Sequence, residues 1–132
     1  LKLIESAYQK GYGVIARIPL QFGLLTGKFN KQTRFNKNDH RHFRLPPEFL
    51  TRLLEAINEV WAIAEKYNVD KTTFALSFIM NHTGVSTVIP GIKTPEQAEK
   101  NTKPIVTISE DDMNFIHQLF DKKFNALVDK ML

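Results

Sequence analysis

Cysteine is missing from this sequence altogether, which excludes a disulfide framework and every thiolate metal site and fits a reducing compartment. Apolar runs stay a few residues long, far short of the ~20 that a membrane-crossing helix needs. No cationic segment followed by an apolar stretch marks a secretory signal. A soluble, cytoplasmic protein without a membrane partner is the expectation. Glycine and proline number only six each, so the composition is neither collagen-like nor that of a disordered chain. What is there, 42% hydrophobic residues in 132, supports one core and is too short for two ordinary domains. The first residue is Leu1 rather than Met, which suggests a cut, processed or partial chain, so residues 1–132 are expected to form a single partial domain.

The formal charge of +4 has one source. Residues 28–44 carry Lys28, Lys31, Arg34, Lys37, Arg41 and Arg44 against Asp39 alone, a local +5, while the rest of the chain nets −1. Phe29, Phe35 and Phe43 interleave these charges as base-stacking residues do in nucleic-acid binders. A solvated loop whose aromatics tuck back onto the core fits the same pattern and is favoured, because charge runs are weak signals. A lid over an anionic ligand is the third reading.

Hydrophobic spacing sets out the elements. Leu3, Ile4, Ala7 and Tyr8 form a short helical stripe that stops at Gly11. Val14 to Ile18 is a β-branched run closed by Pro19, which predicts a strand buried on both faces. No period survives from Gly23 to Pro47, and a connection of that length is functional or mobile more often than filler. A strong helix follows, with Leu50, Leu53, Leu54, Ile57, Val60, Trp61, Ala64 and Tyr67 on one face. Asp70 caps a shorter helix that buries Phe74, Ala75, Phe78 and Ile79. Val85 to Ile89 is a second strand, and Thr94-Pro95-Glu96-Gln97 is a full capping box opening another helix. The last helix starts at Ser109, with three acids in its first turn and an apolar edge of Met113, Ile116, Phe120, Phe124, Leu127 and Met131. Strands alternating with helices imply parallel βα units, yet two strands alone cannot close a barrel, so the chain reads as part of a larger sheet with edges open to self-association or to a missing N-terminal half.

Several motifs carry little. Gly11-Tyr12-Gly13-Val14-Ile15-Ala16 has dinucleotide-fingerprint spacing but precedes a strand instead of following one. His40 and His42 lack a third ligand, His82 and His117 are isolated, and no metal site is expected. Asn81-His82-Thr83 is a glycosylation sequon without a secretory signal. The junction Val88-Ile89-Pro90-Gly91-Ile92-Lys93-Thr94-Pro95 says more. A strand ends, a glycine permits close backbone approach, a lysine follows and a capped helix begins, which suits an anion at the carboxyl end of a parallel strand. An ordinary short βα turn has the same composition.

Two segments carry a family resemblance. Gly23-Leu24-Leu25-Thr26-Gly27-Lys28-Phe29 resembles the G-L-L-T-G-K-[FY] loop of aldo-keto reductases, and Ile89-Pro90-Gly91-Ile92-Lys93-Thr94-Pro95-Glu96-Gln97, followed by Asn101, resembles their cofactor-phosphate segment. The likeness runs from Leu3 to Asn101. It implies an α/β fold, the C-terminal portion of a (β/α)8 TIM barrel, with Val14 to Ile18 and Val85 to Ile89 as its seventh and eighth strands. It also implies an NADPH-dependent oxidoreductase acting on a small carbonyl substrate. The positions that match the family's cofactor cradle are Gly91, Ile92, Lys93, Gln97, Lys100 and Asn101, with Pro19 and Leu20 after the first strand. Where the family often has a stacking aromatic followed by Ser-Pro-Leu-Gly, this chain has Arg17, Ile18 and Gln21 in place of the aromatic, Ser and Gly. An arginine guanidinium can still lie flat against a ring. Lys93 beside a capped helix suits a 2′-phosphate and hence NADPH. The family's catalytic Asp, Tyr, Lys and His belong to earlier strands, so no catalytic residue is expected here. The alternative is a non-enzymatic module that binds nucleic acid or another polyanion through residues 28–44.

Overall fold

A computed structural model describes residues 2–125. Its contacts fall into two compact units, residues 2–27 with 67–108, and residues 28–66 with 109–125.

The first unit opens with α1 (Lys2–Gln9). The helix ends in a Schellman motif, in which Gly11 at φ 78° lets its own N–H reach the Tyr8 carbonyl and the Tyr12 N–H reach that of Ala7. Next comes β1 (Val14–Arg17), which pairs in parallel with β2 (Val85–Ile89). The pairing matches Val14 with Val85 and then Ile15 with Thr87, leaving Ser86 as an extra residue, and the ends match Arg17 with Ile89. Parallel strands were the expectation; burial on both faces was not met. Ile15 and Ile89 are 60% and 52% exposed, because α1 and the helix over Lys71–Met80 cover one side of the pair and, among the described residues, nothing covers the other.

α4 (Lys71–Met80) starts at Asp70, whose carboxylate accepts the Thr73 N–H as an N-cap. Phe74 and Ala75 are buried as expected, but Phe78 and Ile79 are only half-buried. Instead Thr72, Thr73 and Ser77 join the core: Ser77 is buried by bonding to its own helix, the Thr73 hydroxyl donates to the Asp70 carboxylate, and Thr72 Oγ1 has no hydrogen-bond partner among the described residues. Ser77 donates to the Thr73 carbonyl and accepts the Val106 N–H. Asn81 completes this zipper by donating to the Ser77 and Val106 carbonyls and accepting from Ile108 N–H. α5 (Pro95–Asn101) begins at the Thr94 cap.

The second unit is built on α3 (Pro47–Ala64), which follows the short α2 (Arg41–Arg44) and buries Leu50, Leu53, Ala56, Ile57, Trp61, Ile63 and Ala64. The expected apolar face is there from Leu50 to Ala64, with Leu54 and Val60 at its half-buried rim, while Tyr67 lies beyond the helix in a 3-10 turn. α6 (Glu110–Leu119) is capped by the Ser109 hydroxyl and buries Ile116 and Leu119. At Phe120–Phe124 it widens into a π-turn closed by the Asn125 N–H on the Phe120 carbonyl. Phe120, on the predicted edge, is 43% exposed, and its neighbour Leu119 is buried in its place. The expected continuation through Leu127 and Met131 lies outside the described residues.

Candidate functional site

The carboxyl ends of β1 and β2 lie side by side, and each is followed by a residue cluster that the sequence singles out. Arg17 ends β1 on the uncovered face with Ile15, Thr87 and Ile89. Its guanidinium is exposed and makes no ion pair among the described residues. The backbone beyond it is strained. Ile18, Gln21 and Phe22 all have left-handed φ values, 53°, 44° and 58°, a conformation that costs a side-chain-bearing residue about 1–2 kcal/mol. Three such residues in five mark a segment whose shape is held by its surroundings, and strain of this kind collects at functional sites. Pro19 is buried and Leu20 half-buried, so of the three predicted residues on this side only Arg17 presents its side chain fully to a ligand.

On the β2 side the chain turns through Pro90, Gly91, Ile92 and Lys93 into α5. Gly91 is open, with no atom within 4 Å of where a Cβ would stand. Ile92 is 56% exposed, and Lys93 is exposed with no acid paired to it among the described residues. Two predicted residues act on this turn from behind. Gln97 Oε1 accepts the Lys93 N–H at 2.8 Å, and Asn101 Nδ2 donates a long bond, 3.4 Å, to the Gly91 carbonyl. The capping box is thus formed with a shift. Thr94 Oγ1 accepts the Gln97 N–H, while the glutamine returns to Lys93 instead of Thr94, which fixes the lysine's main chain. Glu96 accepts a hydrogen bond from the Thr94 hydroxyl, which holds its carboxyl below the usual value and keeps a negative charge in the first turn.

Lys100 is the exception in the predicted set. Its ammonium lies 3.7 Å from Asp70, which also takes Lys103 at 3.0 Å. Burial works to raise the Asp70 pKa, but the Lys103 ammonium, the Thr73 N–H and hydroxyl and Lys100 together hold it below the ordinary carboxylate value. The sequence marks Asp70 as a helix cap; its second role, joining α4 to the far end of α5, depends on a contact 33 positions away.

These features fit a phosphate-bearing cofactor. An open glycine lets a ligand reach main chain, and two cations without an ion pair among the described residues stand one at the end of β1 and one just beyond β2. Among the described residues no cluster of three His, Cys, Asp or Glu side chains is placed to hold a metal, and no helix is long and apolar enough to cross a membrane.

The basic loop, in the second unit, is turned in on itself. Arg41 forks onto Asp39 and lies over Phe35 at 4.7 Å, and Phe35 meets Phe29 edge-on at 5.2 Å. Hydrogen bonds from the Arg41 side chain and N–H hold the Asp39 carboxyl far below the usual carboxylate range. Lys31 pairs with Glu55, and Arg34 donates to the Lys31 and Thr33 carbonyls. Phe29 and Phe35 therefore stack with the loop's own groups, which weighs against their serving as a platform for bases; Phe43 is 77% exposed.

Comparison with known proteins matches residues 1–121 to the aldo/keto reductase family. Aldo-keto reductase str7 of Strobilurus tenacellus is 28% identical over 127 residues, 92% of this chain and 37% of that protein. L-glyceraldehyde 3-phosphate reductase of Escherichia coli K12 is 28% identical over 123 residues, 88% of this chain and 36% of the relative. The solved glycerol dehydrogenase of Gluconobacter oxydans superposes with a TM-score of 0.74 at 24% identity, over 91% of this chain and 37% of that one. The chain spans little more than a third of the length of the relatives it matches. Two parallel strands, the helices packed on them and this superposition give the fold of part of an aldo-keto reductase barrel. The chain belongs to the aldo/keto reductase family.

Proposed function

We propose that this chain is the cofactor-binding C-terminal segment of an NADPH-dependent aldo-keto reductase. The observation that carries the reading is the pair of exposed cations Arg17 and Lys93, neither in an ion pair among the described residues, at and just beyond adjacent parallel strand ends, with Gly91 open beside the second. Gly91, Ile92 and Lys93 meet the adenosine 2′-phosphate, where Lys93 supplies a charge-assisted contact. Arg17 lies against the nicotinamide ring, Pro19 and Leu20 shape the turn beside the pyrophosphate, and Gln97 and Asn101 hold the Gly91–Lys93 main chain in place. The bound cofactor supplies the hydride that reduces a small carbonyl substrate. The chain's likeness to an L-glyceraldehyde 3-phosphate reductase and to a glycerol dehydrogenase supports a substrate of that size.

The proton donor that carbonyl reduction needs is not among these 132 residues, so the segment is inactive alone. Its uncovered strand edges suit pairing with further strands, from a second copy or from an N-terminal half, and its place of work is the cytoplasm.

Titration of the chain with NADPH and NADH tests the reading. Lys93→Ala weakens NADPH binding by about 1–3 kcal/mol and leaves NADH nearly unchanged. An equal loss for both cofactors withdraws the NADPH preference. Aldehyde-dependent NADPH oxidation by the chain alone, abolished by a substitution within it, overturns the claim that it is inactive.

A further inference from the structure

Three lysines, 93, 100 and 103, flank the Gly91 turn and α5, and a single carboxylate decides how they are shared. Asp70 is a fixed counter-charge. Both of its oxygens are tied to the start of α4, one by the Thr73 N–H at 3.1 Å and the other by the Thr73 hydroxyl at 3.0 Å, and its side chain is 28% exposed. The lysines are long and adaptable, so the carboxylate sets where they point. Lys100 is the residue before Asn101, whose amide touches the Gly91 carbonyl, so its stem starts beside the turn while its ammonium is drawn back to Asp70. Lys103 is drawn to the same carboxylate. Lys93 keeps its charge at the turn.

We propose that Asp70 is a specificity-determining residue for the cofactor phosphate: by holding Lys100 and Lys103 on α4 it limits the positive charge available to the 2′-phosphate and so sets how strongly the site prefers a phosphorylated adenosine. The proposal rests on the cofactor reading above and adds to it a residue outside the predicted set. Phosphate recruits whichever ammonium groups are within reach, and a carboxylate already occupying two of them competes directly with it. Removing the negative charge while keeping the cap releases both lysines.

Asn caps a helix as well as Asp does, so Asp70→Asn separates charge from structure, and Asp70→Ser, a second neutral cap, repeats the test if the first variant folds poorly. The probes are 2′,5′-ADP and 5′-AMP, titrated against the 132-residue chain by calorimetry, with the thermal midpoint of each variant as the control for folding. In a folded Asp70→Asn variant, 2′,5′-ADP binds several-fold more tightly, about three- to tenfold, with 5′-AMP changed less than about twofold and a steeper loss of affinity with salt. Adding Lys100→Met and Lys103→Met reverses the gain. A folded neutral variant in which the ratio of the two affinities stays at the wild-type value, or a gain that survives loss of both lysines, overturns the proposal. If the wild-type chain prefers 2′,5′-ADP and the neutral variants do not move that preference, the cofactor reading stands and the role of Asp70 falls. If neither wild type nor variants distinguish the two nucleotides, both fall.

Discussion

Gly84 stands against Tyr8 so closely that a Cβ on the glycine would lie 2.9 Å from the tyrosine Cβ, and its φ of +97° is one that side chains resist. The contact locks α1 to the entry of β2. Gly84→Ala is expected to destabilise the chain by about 2 kcal/mol from the backbone conformation alone, with steric overlap adding to it. Thermal unfolding reads the loss, and a midpoint equal to wild type contradicts the packing described.

Gln21 occupies a left-handed conformation where the family often carries Gly. Gln21→Gly relieves that strain at some cost in unfolded-state entropy, for a net gain of roughly 0.5–1 kcal/mol. Denaturant unfolding should shift upward at unchanged slope. A destabilised variant means that the glutamine side chain holds this turn in a way its backbone does not reveal.

Asn81 makes three hydrogen bonds that zip residues 106–108 to α4. Asn81→Ala strands part-buried main-chain groups and should cost about 2–3 kcal/mol. Hydrogen exchange localises the effect: the Ile108 amide should lose protection in the variant, and an unchanged rate there shows that the side chain is not its partner.

Helix starts were legible because a cap is a conversation between neighbours. Asp70, Thr94 and Ser109 each accept from the N–H three residues on, as the sequence pattern implies. Strand burial was not legible, since Ile15 and Ile89 look like core residues until it is known what lies over them. Burial of Thr72 and Ser77 is not legible for the opposite reason: Ser77 satisfies its hydroxyl on its own helix and Thr72 is buried with Oγ1 unpartnered among the described residues, neither of which a count of apolar positions registers. At the candidate site the turn from Gly91 to Lys93 was readable. The tie from Lys100 to Asp70 was not, because nothing in the spacing of positions 70 and 100 brings them together.

Gly91→Ala separates binding from stability. With nothing within 4 Å of the new methyl and no positive φ to violate, the free energy of unfolding should stay within about 0.5 kcal/mol of wild type while NADPH affinity falls. Unimpaired NADPH binding in this variant argues that the cofactor does not approach the glycine.

Acid should loosen the first unit through Asp70. Its folded-state pKa lies below the ordinary carboxylate value, so its contribution is fully present above that ordinary value and is lost as the pH falls below it toward the folded one. Stability followed below pH 4 should decline less steeply in Asp70→Asn than in wild type; identical slopes mean that the carboxylate's partners do not favour its charged form.

Ser86 is the residue β2 has in excess of β1, and its effect is one of level. With unbroken pairing from Val14 and Val85, Arg17 would sit opposite Val88, and the second strand would run one residue further before turning. The bulge takes up that residue, so Ile89 draws level with Arg17 and the Pro90–Gly91 turn leaves the sheet about 3.3 Å lower than it otherwise would. One surplus serine brings the two loops out at the same height, the level footing that the proposed cofactor needs to touch both.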